Sequence, residues 1–350
     1  MLTSRALIEM ALAGQPTPRP ATGPLAVHFC AKLSGISLRQ YTLDPKQLAR
    51  SVIEYYRRFR PDAVWLSADT WVNAEAMGAR VGFPDDDQPA AGLGPALIQS
   101  PEDLDAIPPP DVTRHGRWPA MLEAVRLVRQ QLGDDVCLVA CFDQYPFSLA
   151  SQLLGLNRMM LAIFDDRPFV ERVMEKCLEY TLAYAVALAE AGADILSGGD
   201  SPAGLIGPRS YREVAQPLEK RLIERLKERV RVPVSLHICG NATPLLADMA
   251  ATGADILEID YPVAIEDAAQ ILGSSVALWG NLDPVGLLAQ ADADTVYRET
   301  QALLRRVRQC GIRRFVVSSG CTLAMETPEE NLDAFFAAAR DFGPWGDKNG

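Results

Sequence analysis

Seven short, nearly continuous apolar runs recur along the chain, each ending in small or polar residues. They are 63–69 (AVWLSAD), 136–143 (VCLVACFD), 194–200 (DILSGGD), 234–239 (VSLHIC), 255–260 (DILEID), 276–281 (VALWGN) and 315–321 (FVVSSGC). A strand that is apolar at successive positions is buried on both faces, as in a parallel sheet covered by helices. The intervals carry helical periodicity: Met121, Leu122, Val125, Val128 and Leu132 make one stripe, and Leu222, Ile223, Leu226 and Val230 another. Gly192 and Gly311 stand where helices should stop before the next strand. With an eighth strand near 24–30, the pattern predicts an α/β fold of the (β/α)₈ TIM-barrel type. It predicts one catalytic domain over 61–345, with residues 1–60 as a helical or extended N-terminal segment packed on the barrel. An open doubly wound sheet is the alternative, but neither GxGxxG after the first strand nor GxxxxGK[ST] occurs. The Pro-, Gly- and Asp-rich stretch 84–117 reads as a long loop.

In a barrel of this kind the carboxyl ends of the strands form the active face. Polar residues gather there: Asp69, Asp143, Asp200, His237, Cys239, Asp260, Asn281 and Cys321. Composition narrows the partners. With 45 acidic and 34 basic residues, the net charge of −11 argues against nucleic acid as a partner. No run approaches a membrane span and no signal segment opens the chain, so no membrane partner is expected. Seven scattered cysteines make a poor disulfide framework and suit reduced thiols in a cytoplasmic protein.

His237-Ile238-Cys239 ends one run. Residues i and i+2 on a strand share a face, so imidazole and thiol aim at one point while Ile238 points away. Cys321 ends another run and supplies a third soft donor. One nitrogen and two sulfurs suit Zn²⁺ with a fourth position open to substrate. Structural zinc sites use four ligands, commonly from short knuckles, and no such knuckle is present; these three residues are therefore both metal and catalytic candidates. A second H-x-C, His28-Phe29-Cys30, lacks the Gly-Asn turn and a paired downstream cysteine, so whether it faces the site stays open. Cys137, Cys141, Cys177 and Cys310 read as small packing residues, Cys141 being nearest a strand end. Asp69, Asp200 and Asp260 can orient a polar substrate or titrate as general acids, and helix capping is the competing role. Gly198 and Gly199 would let backbone approach a ligand closely.

On the segments 146–155 (PFSLASQLLG), 190–201 (EAGADILSGGDS), 236–244 (LHICGNATP), 279–284 (WGNLDP) and 315–331 (FVVSSGCTLAMETPEEN), the chain resembles the uroporphyrinogen decarboxylase superfamily. That superfamily also contains zinc-dependent methylcobalamin:coenzyme M methyltransferases, and the similarity runs from about residue 60 to 342. The resemblance implies a barrel with its site at the carboxyl mouth. Decarboxylases carry an Arg-Gln-Ala-Gly-Arg segment for substrate carboxylates, and the corresponding region here, near Cys30-Ala31-Lys32-Leu33-Ser34-Gly35, lacks those arginines. They also have Gly-His where this chain has Gly320-Cys321. The methyltransferase branch shows H-x-C followed by a distant Cys, which matches His237, Cys239 and Cys321 one by one. Zn²⁺ is therefore implied at these residues, with a bound substrate thiolate accepting methyl from methylcobalamin or a methyl-corrinoid protein as co-substrate. Asp69, Asp200, Asp260 and Asn281 would bind substrate or corrinoid at the mouth, and a separate corrinoid protein would be the partner. Alternatives are methyl transfer from a donor such as an aryl ether onto corrinoid, tetrapyrrole decarboxylation, and binding without turnover. The residues leave the thiol or methyl donor, the direction of transfer and the oligomeric state open.

Overall fold

A computed structural model describes residues 2–346. Eight parallel strands make the barrel: β1 (Ala21–Thr22), β2 (Ala63–Leu66), β3 (Cys137–Gln144), β4 (Ile195–Gly199), β5 (Ser235–Ile238), β6 (Ile256–Ile259), β7 (Ala277–Leu282) and β8 (Phe315–Ser319). Their hydrogen-bonded order is β1-β8-β7-β6-β5-β4-β3-β2. At the seam, the Asp62 N–H donates to the Thr22 carbonyl at 3.0 Å, and the Asp62 carboxylate accepts from Thr22 N and Oγ1, both at 2.9 Å. Arg19 forks onto the same carboxylate at 2.6 and 2.8 Å, neutralising a fully buried acid. The seven apolar runs are seven of these strands.

The eighth strand lies at Ala21–Thr22, not at 24–30, so the barrel draws its first strand from within residues 1–60. Pro24 has no N–H with which to extend the ladder. Past it the chain turns, with Ala26 N donating to Pro24 O, and enters the helix Phe29–Leu33. The stretch 84–117 is less bare than a loop: its Ala90–Ala91 pairs with Val81–Gly82 just before it in a small antiparallel ribbon, and Pro101–Ala106 is a helix capped by Ser100.

Strand alternation divides the core in two. Ala63, Trp65, Cys137, Val139, Ile195, Ile256, Ala277, Trp279 and Val316 fill the barrel interior near its amino end. Leu7, Ile8 and Ala11 of the helix Ser4–Leu12 join that cluster and close this end. The alternate residues, among them Val64, Leu138, Leu196, Leu236, Leu257, Leu278 and Val317, pack outward against the surrounding helices. Continuing the inward parity toward the carboxyl ends gives Ser197, His237, Glu258, Asn281 and Ser318: the interior changes from apolar to polar along its axis. Helix stops follow the glycines, with Gly192 capping Arg167–Ala191 at φ 119°. Among the described residues, no single helix is long and apolar enough to cross a membrane.

Candidate metal centre and its cavity

His237 is the third residue of β5 and faces the barrel axis. Its Nδ1 lies 2.9 Å from the Glu258 carbonyl oxygen, an acceptor, so the ring proton belongs on Nδ1. The Nε2 lone pair then faces the sulfurs, an arrangement typical of metal-ligating histidine. Cys239 follows where the chain leaves the strand, and Gly240 turns away at φ 78°. Two hydrogen bonds fix that turn: Cys239 N to Ser201 Oγ at 3.3 Å and Gly240 N to Asp260 Oδ2 at 2.7 Å. Cys321 arrives from the turn after β8. A Cβ at Gly320 would stand 2.5 Å from Tyr261 N and 2.7 Å from Asp260 Oδ1, so only glycine lets this turn approach closely enough.

The three donor atoms lie within 4.8 Å of one another. The sulfurs are 3.9 Å apart, close to the roughly 3.8 Å that two sulfurs span on a tetrahedral zinc. His237 Nε2 to Cys239 Sγ is 3.0 Å, about half an ångström short of the corresponding nitrogen–sulfur span. The donor set fits a thiophilic divalent cation with one position left over. The electrostatics agree. Hydrogen bonding from Cys321 draws the Cys239 thiol down to about 7 against its burial, while the Cys321 thiol is pushed up by Cys239 and by burial. Burial opposes a charged His237, but the Cys321 sulfur and Glu258 outweigh it and raise the imidazole to about 9. These side chains share protons at close range, and a divalent cation would take their place.

A cavity of about 730 Å³ opens at the carboxyl end over these residues. Asp69 lines it, but its carboxylate is committed to Arg117 at 2.5 and 3.1 Å and to Trp71 N at 2.7 Å. Asp200, Asp260 and Asn281, expected at the mouth, do not line the cavity. They sit behind the ligand-bearing turns, bonded there except for Asp200 Oδ2, which is buried without a partner. Asp200 N donates to His237 O and its Oδ1 accepts from Ser148 N and Oγ. Asp260 holds Gly240 and Tyr261 N, and Asn281 Nδ2 donates to the Asp260 and Val263 carbonyls. His28 lines the cavity with Nε2 2.8 Å from Ala68 O, whereas Cys30 turns back to Ala26 O, so that pair does not converge. Cys30, Cys137 and Cys177 are buried; Cys141 faces the cavity, its thiol pushed up to about 12 by burial.

Two residues without an assigned role prove central to the cavity. Glu258, buried on β6, accepts from the Ser197 and Ser235 hydroxyls below His237, and burial raises its carboxyl above the usual range. Its signal was available: in DILEID it takes the inward parity. Asp143, next to last in β3, has φ 76°, and burial, helped by Asp69, pushes its carboxyl up to about 8. Arg117, which pairs Asp69 with Glu75, carried no sequence signal at all.

Comparison with known proteins finds relatives over most of the chain. The chain is 30% identical over 304 residues to the methylcobamide:CoM methyltransferase MtaA of Methanosarcina barkeri, covering 85% of each chain. It is 31% identical over 341 residues to the uroporphyrinogen decarboxylase of Thermus thermophilus, covering 93% of this chain and 95% of that one. A solved methyltransferase from Methanosarcina mazei superposes with a TM-score of 0.87 at 26% identity, covering 98% of this chain and 99% of the other. The uroporphyrinogen decarboxylase (URO-D) family model matches residues 3–342, and the chain belongs to that family.

Proposed function

We propose that this chain is a corrinoid-linked methyltransferase in which a small thiol accepts a methyl group from methylcobalamin or a methyl-corrinoid protein. The observation that carries the reading is the convergence of His237 Nε2 with the Cys239 and Cys321 sulfurs at the cavity floor. Zn²⁺ held by these residues would lower the pKa of a thiol in the fourth position and keep it nucleophilic at neutral pH. The chain's own groups prepare that position. Glu258 O fixes the His237 tautomer, while Ser201 and Asp260 hold the turn bearing Cys239. The balance is one methyl cation equivalent moved from cobalt to sulfur, giving a thioether and Co(I), with the thiol proton leaving to solvent. Exposed Leu205, Tyr261 and Val285, on the loops after β4, β6 and β7, ring the same end and support docking of a large corrinoid-bearing partner.

The decarboxylase relative favours a second reading, but a tetrapyrrole with many carboxylates needs several cations. Among the described residues, Arg80 is the one Lys or Arg that lines the cavity. One assay separates the readings. Purified protein with methylcobalamin and a panel of thiols should give thiol-dependent loss of the methylcobalamin spectrum. No loss with any thiol overturns the reading; methylation of Co(I) corrinoid by methoxyarenes reverses its direction, and carbon dioxide release from uroporphyrinogen restores the decarboxylase.

A further inference from the structure

Asp143 is 3% exposed and lines the cavity that holds the three candidate ligands. It sits where the β3–β4 register shifts, between Cys141 and Gln144, in the left-handed region that aspartate tolerates better than most residues. Its Oδ2 accepts from Asn73 N at 2.9 Å, and its buried Oδ1 makes no well-formed hydrogen bond, with the neutral Gln144 side-chain amide close by. No neighbouring cation is free to serve it. Arg117, the guanidinium beside it, is divided between Asp69 at 2.5 Å and Glu75 at 2.5 Å. Cys141 and Tyr184, the other titratable neighbours, are pushed up by burial and stay neutral. Arg80 is exposed just before the ribbon, and Glu258 adds a further acid to the wall. An ionised carboxylate buried without a donor is costly, so in the empty cavity Asp143 keeps its proton, in line with its raised pKa. Trp65 and Trp71 also line the space, and an indole face attracts a cation.

We infer that Asp143 determines substrate specificity by pairing with a cationic nitrogen, so that the thiol taken by this site has an ammonium-bearing tail and not an anionic one. This rests on the thiol-acceptor reading above. The ammonium supplies the donor that Oδ1 lacks, and the Asp143 proton leaves as the pair forms.

Cysteamine, 2-mercaptoethanol and 2-mercaptoethanesulfonate share a two-carbon thiol and differ in the charge of the tail. Isothermal titration of the zinc-loaded protein with each, at pH 7 in two buffers of different ionisation enthalpy, reads affinity and proton release together. Cysteamine should bind about tenfold or more tighter than the sulfonate. It should also release close to one more proton than 2-mercaptoethanol, since a carboxyl near 8 is about nine-tenths protonated at pH 7. Asp143→Asn, which keeps the backbone conformation accessible, should abolish both differences. Equal affinities, preference for the sulfonate, no heat with cysteamine, or a preference that survives Asp143→Asn overturns the inference. Methyl transfer is scored separately with methylcobalamin, so failure of that reaction is distinguishable from failure of the charge preference.

Discussion

Glu258 serves the site twice, through its carbonyl to His237 Nδ1 and through its carboxyl to the Ser197 and Ser235 hydroxyls. Glu258→Ala keeps the carbonyl and leaves both buried hydroxyls without that partner. It should destabilise the protein by about 1–3 kcal/mol in urea unfolding, and the double change of both serines to alanine, which strips the buried carboxyl of both donors, should cost at least as much. At this scale the sequence was informative where parity decides. His237 and Cys239 share a face by the i, i+2 rule, and the 3.0 Å between His237 Nε2 and Cys239 Sγ agrees. It was silent where burial and partners decide. Asp200 and Asp260 look like mouth carboxylates in one dimension; the partners that claim them, Ser148 and Gly240, lie on other segments of the chain.

Among the elements, the turn after β8 depends on Gly320. Gly320→Ala forces a Cβ against Tyr261 N, 2.5 Å away, and should displace Cys321. The expected outcome is lower zinc affinity by competitive chelation with unchanged far-ultraviolet circular dichroism; unchanged affinity would mean that the turn has slack. The helix Ser4–Leu12 makes a different prediction. Leu7 is 3% exposed inside the barrel's amino end, so Leu7→Ala should cost about 2–5 kcal/mol, whereas Leu93→Ala, at a side chain 96% exposed, should leave the urea midpoint unchanged. Seven strands were legible because each is long enough to show an apolar run. β1 was not, because two residues show no period and its place depends on Asp62 across the seam and on Val317 of β8. Gly23 marks it instead: its carbonyl accepts from Trp65, Trp279 and Ser318, and a Cβ there would stand 2.3 Å from Trp279.

Across the whole molecule the barrel concentrates acids where water is scarce, and this sets a pH dependence. Burial raises Asp143 to about 8, and burial together with Asp200 raises Glu219 well above the carboxylate range. A carboxyl whose folded pKa exceeds its unfolded value binds more protons in the folded state between the two. Stability therefore falls as pH rises from about 4 toward 8, by up to about 1.4 kcal/mol per pH unit for each such group. Urea midpoints at pH 5, 6, 7 and 8 should decline, and more shallowly in Asp143→Asn; parallel slopes would show that Asp143 ionises normally. The same architecture carries the central claim, because strands distant in sequence deliver one imidazole and two thiols to a single point. Metal analysis of the purified protein tests it most directly. The account predicts about one zinc per chain, lost in both Cys239→Ala and Cys321→Ala with the fold retained. Zinc that persists in both variants, or a folded wild-type protein that takes up none when zinc is supplied, would contradict it.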